Sequence, residues 1–162
     1  MIISKLIGGL GNQMFQYSAG RSLAHRLNVP LKLDISHYSN DIKRQYYLDG
    51  FNISAEIASP DEIRRLKNDS FSSKIKKVFL GKSNKKNFVE PDSDFHPEVL
   101  NLPDNTYLDG FWQSEKYFTD IEDIIRKEFS LRETFPATAN SLLESINKYN
   151  SISIHIRRGD YV

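Results

Sequence analysis

Ile2-Ile3-Ser4-Lys5-Leu6-Ile7 runs straight into Gly8-Gly9-Leu10-Gly11-Asn12-Gln13, and the reading of this stretch decides the fold. A short apolar run with β-branched residues that stops at a cluster of glycines is a strand leaving through a tight turn. From Gln13 to Leu27 there is no proline. Phe15, Ala19, Leu23 and Leu27 recur every four residues while Arg21, His25 and Arg26 fall elsewhere, which predicts a helix laying one stripe on a sheet. Gly20 lies inside that helix, a mild cost unless close packing requires the missing side chain. Val29 to Leu33 predicts a second strand ending at Asp34. Strand, helix and strand in this order make a βαβ unit, which favours a parallel sheet.

Outward from this unit the pattern is sparser. Ser59-Pro60-Asp61-Glu62 places an N-cap serine, a proline at the first helical position and a glutamate at the capping-box position, so a short helix begins there. Thr106 to Phe111 predicts a strand, Ile121 to Phe129 and Thr138 to Lys148 predict helices, and Ser151 to Ile156 predicts a strand in which Ile152, Ile154 and Ile156 alternate with Ser153 and His155. The fold class is therefore α/β, a Rossmann-like parallel sheet flanked by helices, with the chain ending just after a strand.

Composition narrows the function. With 22 Lys plus Arg against 21 Asp plus Glu the 162-residue chain carries a net charge of +1, so no global field recruits nucleic acid. There is no Cys, which removes disulfide scaffolds and thiolate metal sites and fits a reducing cytoplasm. The start lacks the pattern of a signal peptide, and no apolar stretch approaches the roughly 20 residues that span a bilayer. One charge run stands out, with seven lysines and one aspartate from Lys67 to Lys86. It reads as a solvated helix face and loop, or as a peripheral contact with an anionic membrane such as the inner membrane face.

Three places could carry chemistry. At the glycine turn, Gly9, Gly11 and Met14 occupy the glycine positions of G-x-G-x-x-G, so the dinucleotide fingerprint is incomplete. What survives is close backbone approach and a helix N-terminus open to an anion, with Asn12 and Gln13 adding amides. In His155-Ile156-Arg157-Arg158-Gly159-Asp160, two arginines stand where a strand ends, which is the ligand edge of an open α/β sheet, and forked guanidinium contacts suit a diphosphate. Asp160 could orient an arginine or accept a proton. In Gly110-Phe111-Trp112-Gln113, aromatic faces beside an amide suit a sugar ring, although a core cluster is the default for Trp112. Asp92-Ser93-Asp94 sits in a proline-bounded loop and reads as a solvated turn rather than a metal site.

Residues 6–17, LIGGLGNQMFQY, residues 107–118, YLDGFWQSEKYF, and residues 155–162, HIRRGDYV, taken together resemble the bacterial α-1,2-fucosyltransferases of glycosyltransferase family 11. The resemblance implies a GT-B fold of two Rossmann-like domains, of which residues 1–162 are the N-terminal part and the C-terminal half is absent. It implies transfer of L-fucose from GDP-fucose to the 2-hydroxyl of a galactoside, with inversion, in surface glycan synthesis, and with no cofactor or metal. By the same resemblance Arg157 contacts the donor diphosphate, Arg158 and Asp160 complete that site, and Gly9, Gly11, Asn12 and Gln13 face the cleft on the donor side. Trp112 and Gln113 are placed by their aromatic face and amide, at the acceptor or elsewhere in the cleft. The general base is open between Asp160 and His155. The other reading is of a catalytically inert or binding-only fragment of such an enzyme, since one wall of a cleft cannot position both substrates.

Overall fold

The computed structural model describes residues 1–67, 86–133, 137–154 and 156. They belong to two compact units, Met1–Leu131 and Arg132–Val162. The first unit contains strands β1 (Ile2–Lys5), β2 (Leu31–Asp34), β3 (Glu56–Ile57), β4 (Asn87–Val89) and β5 (Thr106–Asp109), and helices α1 (Leu10–Leu27), α2 (described over 60–67) and α3 (Glu122–Glu128). The second contains α4 (Ala137–Lys148).

The strands form one all-parallel sheet in the order β3-β2-β1-β5-β4. In the centre, Ile2 lies beside Leu31 on one flank and Thr106 on the other. Both faces are covered, so β1 buries Ile2, Ile3 and Ser4 alike. Ile2 and Leu6 join α1 in the larger core with Leu23, Leu33, Leu108 and Trp112. Ile3, one residue out of phase, meets Ala58, Leu66 and Tyr107 on the other side.

The βαβ reading of the first 34 residues is therefore correct in order and direction, but the stripe on α1 differs. Phe15 and Leu27 are only half-buried, while Gln13, Gln16, Tyr17 and Gly20 are buried with Leu23. Gln13 goes inside with its amide on backbone groups and Gln16 with its Oε1 on the Ile7 N–H, and Gly20 goes inside because a Cβ there would stand 2.9 Å from the Ser4 Cβ. The helix stops at Asn28, whose left-handed backbone (φ 52°) lets the Val29 N–H return to the Ala24 carbonyl at 3.0 Å. At α2 the capping box forms as read: the Ser59 N–H donates to Glu62 Oε2 at 2.9 Å and the Glu62 N–H to Ser59 Oγ at 3.3 Å.

Residues 151–154 and 156 contain no strand, which corrects the expectation of a strand over Ser151–Ile156 as far as those residues are described. Ile152, Ile154 and Ile156 are 89%, 81% and 76% exposed. Alternation supplies two faces, but a strand also needs a neighbour for its ladder bonds, and no described strand pairs with this segment.

One buried charge ties the sheet to α2. Asp34 accepts from Tyr107 Oη at 2.6 Å, Lys67 Nζ at 3.1 Å and the Ser36 N–H at 2.9 Å. Burial alone would raise this carboxyl, yet hydrogen bonds from Ser36, Tyr107 and Lys67 together hold it below the usual carboxylate range. Burial, helped by Asp34, pushes the Tyr107 phenol up. We expect Asp34→Asn to lower the unfolding free energy in urea by about 1–3 kcal/mol, the cost of replacing the charged acceptor that the buried Tyr107 hydroxyl and the half-buried Lys67 ammonium share. Because the carboxyl titrates lower folded than unfolded, its contribution is whole above the unfolded range and is lost as pH falls through the folded value. Stability of the parent chain should therefore fall more steeply in acid than that of Asp34→Asn.

Candidate functional site

Strand order reverses between β1 and β5, because the chain builds β2 and β3 on one side of β1 and β4 and β5 on the other. At such a switch point the loops leaving the carboxyl ends diverge and open a crevice. The two loops here are the glycine turn before α1 and residues 110–114 after β5. Side chains tie the strand ends once and the loop to the start of α1 once. Lys5 Nζ donates to both Asp109 oxygens at 2.8 and 3.0 Å, and Gln113 Nε2 donates to Asn12 Oδ1 at 2.8 Å.

The glycine turn is locked from beneath. Gly8 has φ 82°, a backbone setting that favours glycine, and its carbonyl accepts from Gln13 Nε2 at 3.2 Å and Tyr38 Oη at 3.1 Å. Burial first, then the nearby Asp41 carboxylate, pushes the Tyr38 phenol up to about 12, so it stays a donor at neutral pH. The Ile7 N–H donates to Gln16 Oε1 at 2.9 Å. Above the turn the described residues leave room: α1 has no side-chain cap and no acidic residue in its first turn, and a Cβ at Gly9 or Gly11 would meet none of them within 4 Å. The positive end of α1 is left facing the sheet edge.

The second loop is held by a residue that sequence reading missed. Glu90 accepts from the Phe111 N–H at 2.5 Å and the Trp112 N–H at 3.0 Å. Gly110 makes room for it, since a Cβ there would press on Glu90. No spacing rule marks Glu90; its role exists only because β4 lies beside β5.

Placed in space, the residues singled out from sequence divide. Asn12 and Gln113 meet at the edge. Gln13 is fully buried and its amide is spent on Gly8, Gln45 and Tyr47, so it supports the turn instead of facing a cleft. Trp112 is also fully buried, packed on Phe88 and Tyr117, and cannot offer a face to a sugar. Lys67 is committed to Asp34 and lies 4.7 Å over the Tyr107 ring, which takes it out of any membrane-facing run. Asp92 accepts from the Asp94 N–H and from the His96 ring within its own loop; those contacts, the Asp94 N–H first, hold its carboxyl low, and Asp92 in turn raises His96. His155, Arg157, Arg158 and Asp160, with the lysine run between Lys67 and Lys86, lie outside the described residues. No described helix is long and apolar enough to cross a membrane.

A glycine turn feeding an uncapped helix at the switch point of a parallel sheet is the ligand edge of a Rossmann-like α/β domain. The chain belongs to glycosyl transferase family 11, whose pattern matches residues 2–162. It is 32% identical over 166 residues to an α-1,2-colitosyltransferase of Escherichia coli, covering 100% of this chain and 56% of that protein. It is 31% identical over 180 residues to the O-antigen biosynthesis glycosyltransferase WbnK of Escherichia coli, covering 98% and 59%. The chain thus spans a little over half the length of these curated relatives. No solved structure matches it significantly.

Trp112 is the only tryptophan, so its fluorescence reports the 110–114 loop alone. Glu90→Ala leaves two backbone N–H groups without their acceptor, at a cost of about 1–3 kcal/mol. We expect a red-shifted emission from the folded variant and a lower urea midpoint, with Glu90→Gln in between.

Proposed function

We propose that this chain is the N-terminal part of an inverting fucosyltransferase that moves L-fucose from GDP-fucose to the 2-hydroxyl of a galactoside in O-antigen synthesis. The observation that carries the proposal is the bond between Asn12 and Gln113, which brings two of the three motifs behind the family resemblance together at the switch point. The family match over residues 2–162 and the O-antigen name of one relative support it.

In the proposed reaction the acceptor oxygen attacks the anomeric carbon from the face opposite GDP, the carbon–oxygen bond to the diphosphate breaks, and GDP leaves with the bonding pair. Arg157 and Arg158 meet the charge that grows on the diphosphate, an effect worth most in a water-excluded cleft. The acceptor proton passes to Asp160 or His155. Ion-paired to an arginine, Asp160 would be the weaker base of the two, because a neighbouring positive charge lowers a carboxyl pKa. The open N-terminus of α1, with Gly9 and Gly11, lies on the wall that faces the donor. No cofactor or metal takes part in this scheme, and peripheral contact of the lysine-rich run with anionic membrane is part of it.

The name of one relative favours a second reading of the donor, in which colitose is the sugar moved. The name bears on the donor sugar alone, and the acceptor attack and GDP departure are drawn alike for both.

GDP release from GDP-fucose, with lactose as acceptor, tests the proposal. Acceptor-dependent release that falls at least about 100-fold in Arg157→Ala, as for loss of a transition-state charge contact, and that persists in EDTA, is the expected outcome for an active chain. A colitosyl donor run in parallel decides between the two sugars. Binding of GDP without release supports the binding-only reading of residues 1–162, and loss of activity in EDTA would overturn the metal-free scheme. Sedimentation with anionic vesicles checks the membrane contact.

A further inference from the structure

Between the first half of α1 and the segment from Glu115 to α3 lies a groove of about 480 Å³. Its walls are Met14, Phe15, Phe118, Ile125 and Phe129, and Glu115, Glu122 and Arg126 also line it. Phe15 and Phe118 are tilted by 57° with centroids 6.0 Å apart, and both are half-buried, so each keeps part of a face open. The volume is that of a small-ligand site, and a mostly apolar lining with a few convergent polar groups is the usual composition of one.

Gly11 gives the groove a direction. It belongs to both the groove and the turn at the switch point, and it sits in the first turn of α1, where glycine is a poor helix former. Its φ is not positive, and a Cβ there would meet nothing within 4 Å. Neither backbone nor packing among the described residues asks for glycine at this point. The missing side chain leaves free space that runs from the turn into the groove.

We propose that this groove is the acceptor subsite, holding a pyranose with its C–H face on Phe15 and Phe118 and its hydroxyls on Glu115; this rests on the glycosyltransferase reading above. A sugar ring has one relatively apolar face and a rim of donors. Aromatic walls suit the first and an acceptor-only carboxylate suits the second. Among the described contacts the Glu115 carboxylate has no partner, whereas Glu122 is paired with Arg126 at 2.7 Å. A lipid chain fits less well, because it would press apolar surface against Glu115, Glu122 and Arg126 and desolvate them without return. Gly11 would let the glycan run from the groove to the edge where the donor binds.

The test titrates lactose and, separately, GDP into the 162-residue protein by NMR, with Thr119→Trp and Glu115→Gln as variants. Thr119 is exposed on the groove wall, so the indole fills the groove from outside the core. Glu115→Gln changes no volume and keeps the test open should the tryptophan disturb folding. The expected result is lactose-induced shifts in the phenylalanine ring signals, and lactose affinity lowered about tenfold in each variant, as for one charged hydrogen bond or a blocked subsite. GDP affinity should stay within about twofold, well under the free energy of one contact. Lactose binding unaffected by both variants overturns the subsite. So does the absence of lactose binding to the parent chain; GDP binding in the same sample then leaves the glycosyltransferase reading standing, and loss of both ligands removes it as well.

Discussion

Ser4 and Gly20 touch where α1 crosses β1, and the height of the helix over the sheet follows from that contact. Ser4 Oγ donates to the Gln16 carbonyl at 2.8 Å in a fully buried setting, which only a glycine one turn further on permits. Held this low, α1 brings Gln13 and Gln16 beneath the glycine turn, and their amides fix the carbonyl of Gly8 and the N–H of Ile7. Replacing either glutamine by an apolar residue of similar size would fill the same space and leave those backbone groups without partners. The geometry of the turn at Gly8, and so the direction of the helix's open end, descends from the side chain that Gly20 lacks, 12 residues further on.

A second set of ties positions the rest of the edge. The large buried aromatics each carry a polar end. Tyr17 Oη donates to Glu128 Oε2 at 2.5 Å and so ties α1 to α3, while Arg21 closes on the same carboxylate at 3.0 Å. Tyr107 ties β5 to Asp34 at the end of β2, and Tyr117 Oη accepts the His96 N–H at 2.9 Å. A core of this kind combines apolar area with direction, because each hydroxyl has one good place to go. The groove beside α1 is bounded by elements fixed in this way, which keeps it open instead of letting α3 settle onto Phe15.

Legibility in the sequence followed the range of the forces involved. The β1–α1–β2 unit and the capping box at Ser59 and Glu62 are short-range features, with periodicity, a turn and a cap within a few residues, and they were readable. β3 and β4 were not, because two and three residues cannot display a period. The stripe on α1 was misjudged for another reason. Gln13 enters the core because Gln45 and Tyr47, more than 30 residues along the chain, meet its amide. The site showed the same split. Asn12 is visible as an amide next to a glycine and Gln113 as an amide beside aromatics, whereas Glu90 acts through a strand pairing that no local pattern announces. The aromatic face of Trp112 suits a sugar ring in sequence, and burial removes that face from any ligand.

Trp112 also shows what the edge costs to build. Its backbone is left-handed, with φ 54°, a setting unusual for a bulky side chain, and its indole Nε1 is buried without a partner among the described residues. Both features are unfavourable, the first by about 1–3 kcal/mol and the second by about as much again. They persist because the surroundings over-determine the loop: Phe88 and Tyr117 enclose the ring, Glu90 accepts from the backbone N–H of Trp112, and the Ser114 N–H returns to the Trp112 carbonyl at 2.8 Å. The reversal at Trp112 is what turns Gln113 outward toward Asn12. A relaxed, extended residue at this point would carry the chain past the end of β1, and the two loops would not meet. Backbone strain at Trp112 and helix approach at Gly20 therefore serve the same end, which is to bring two loops together at the switch point of the sheet.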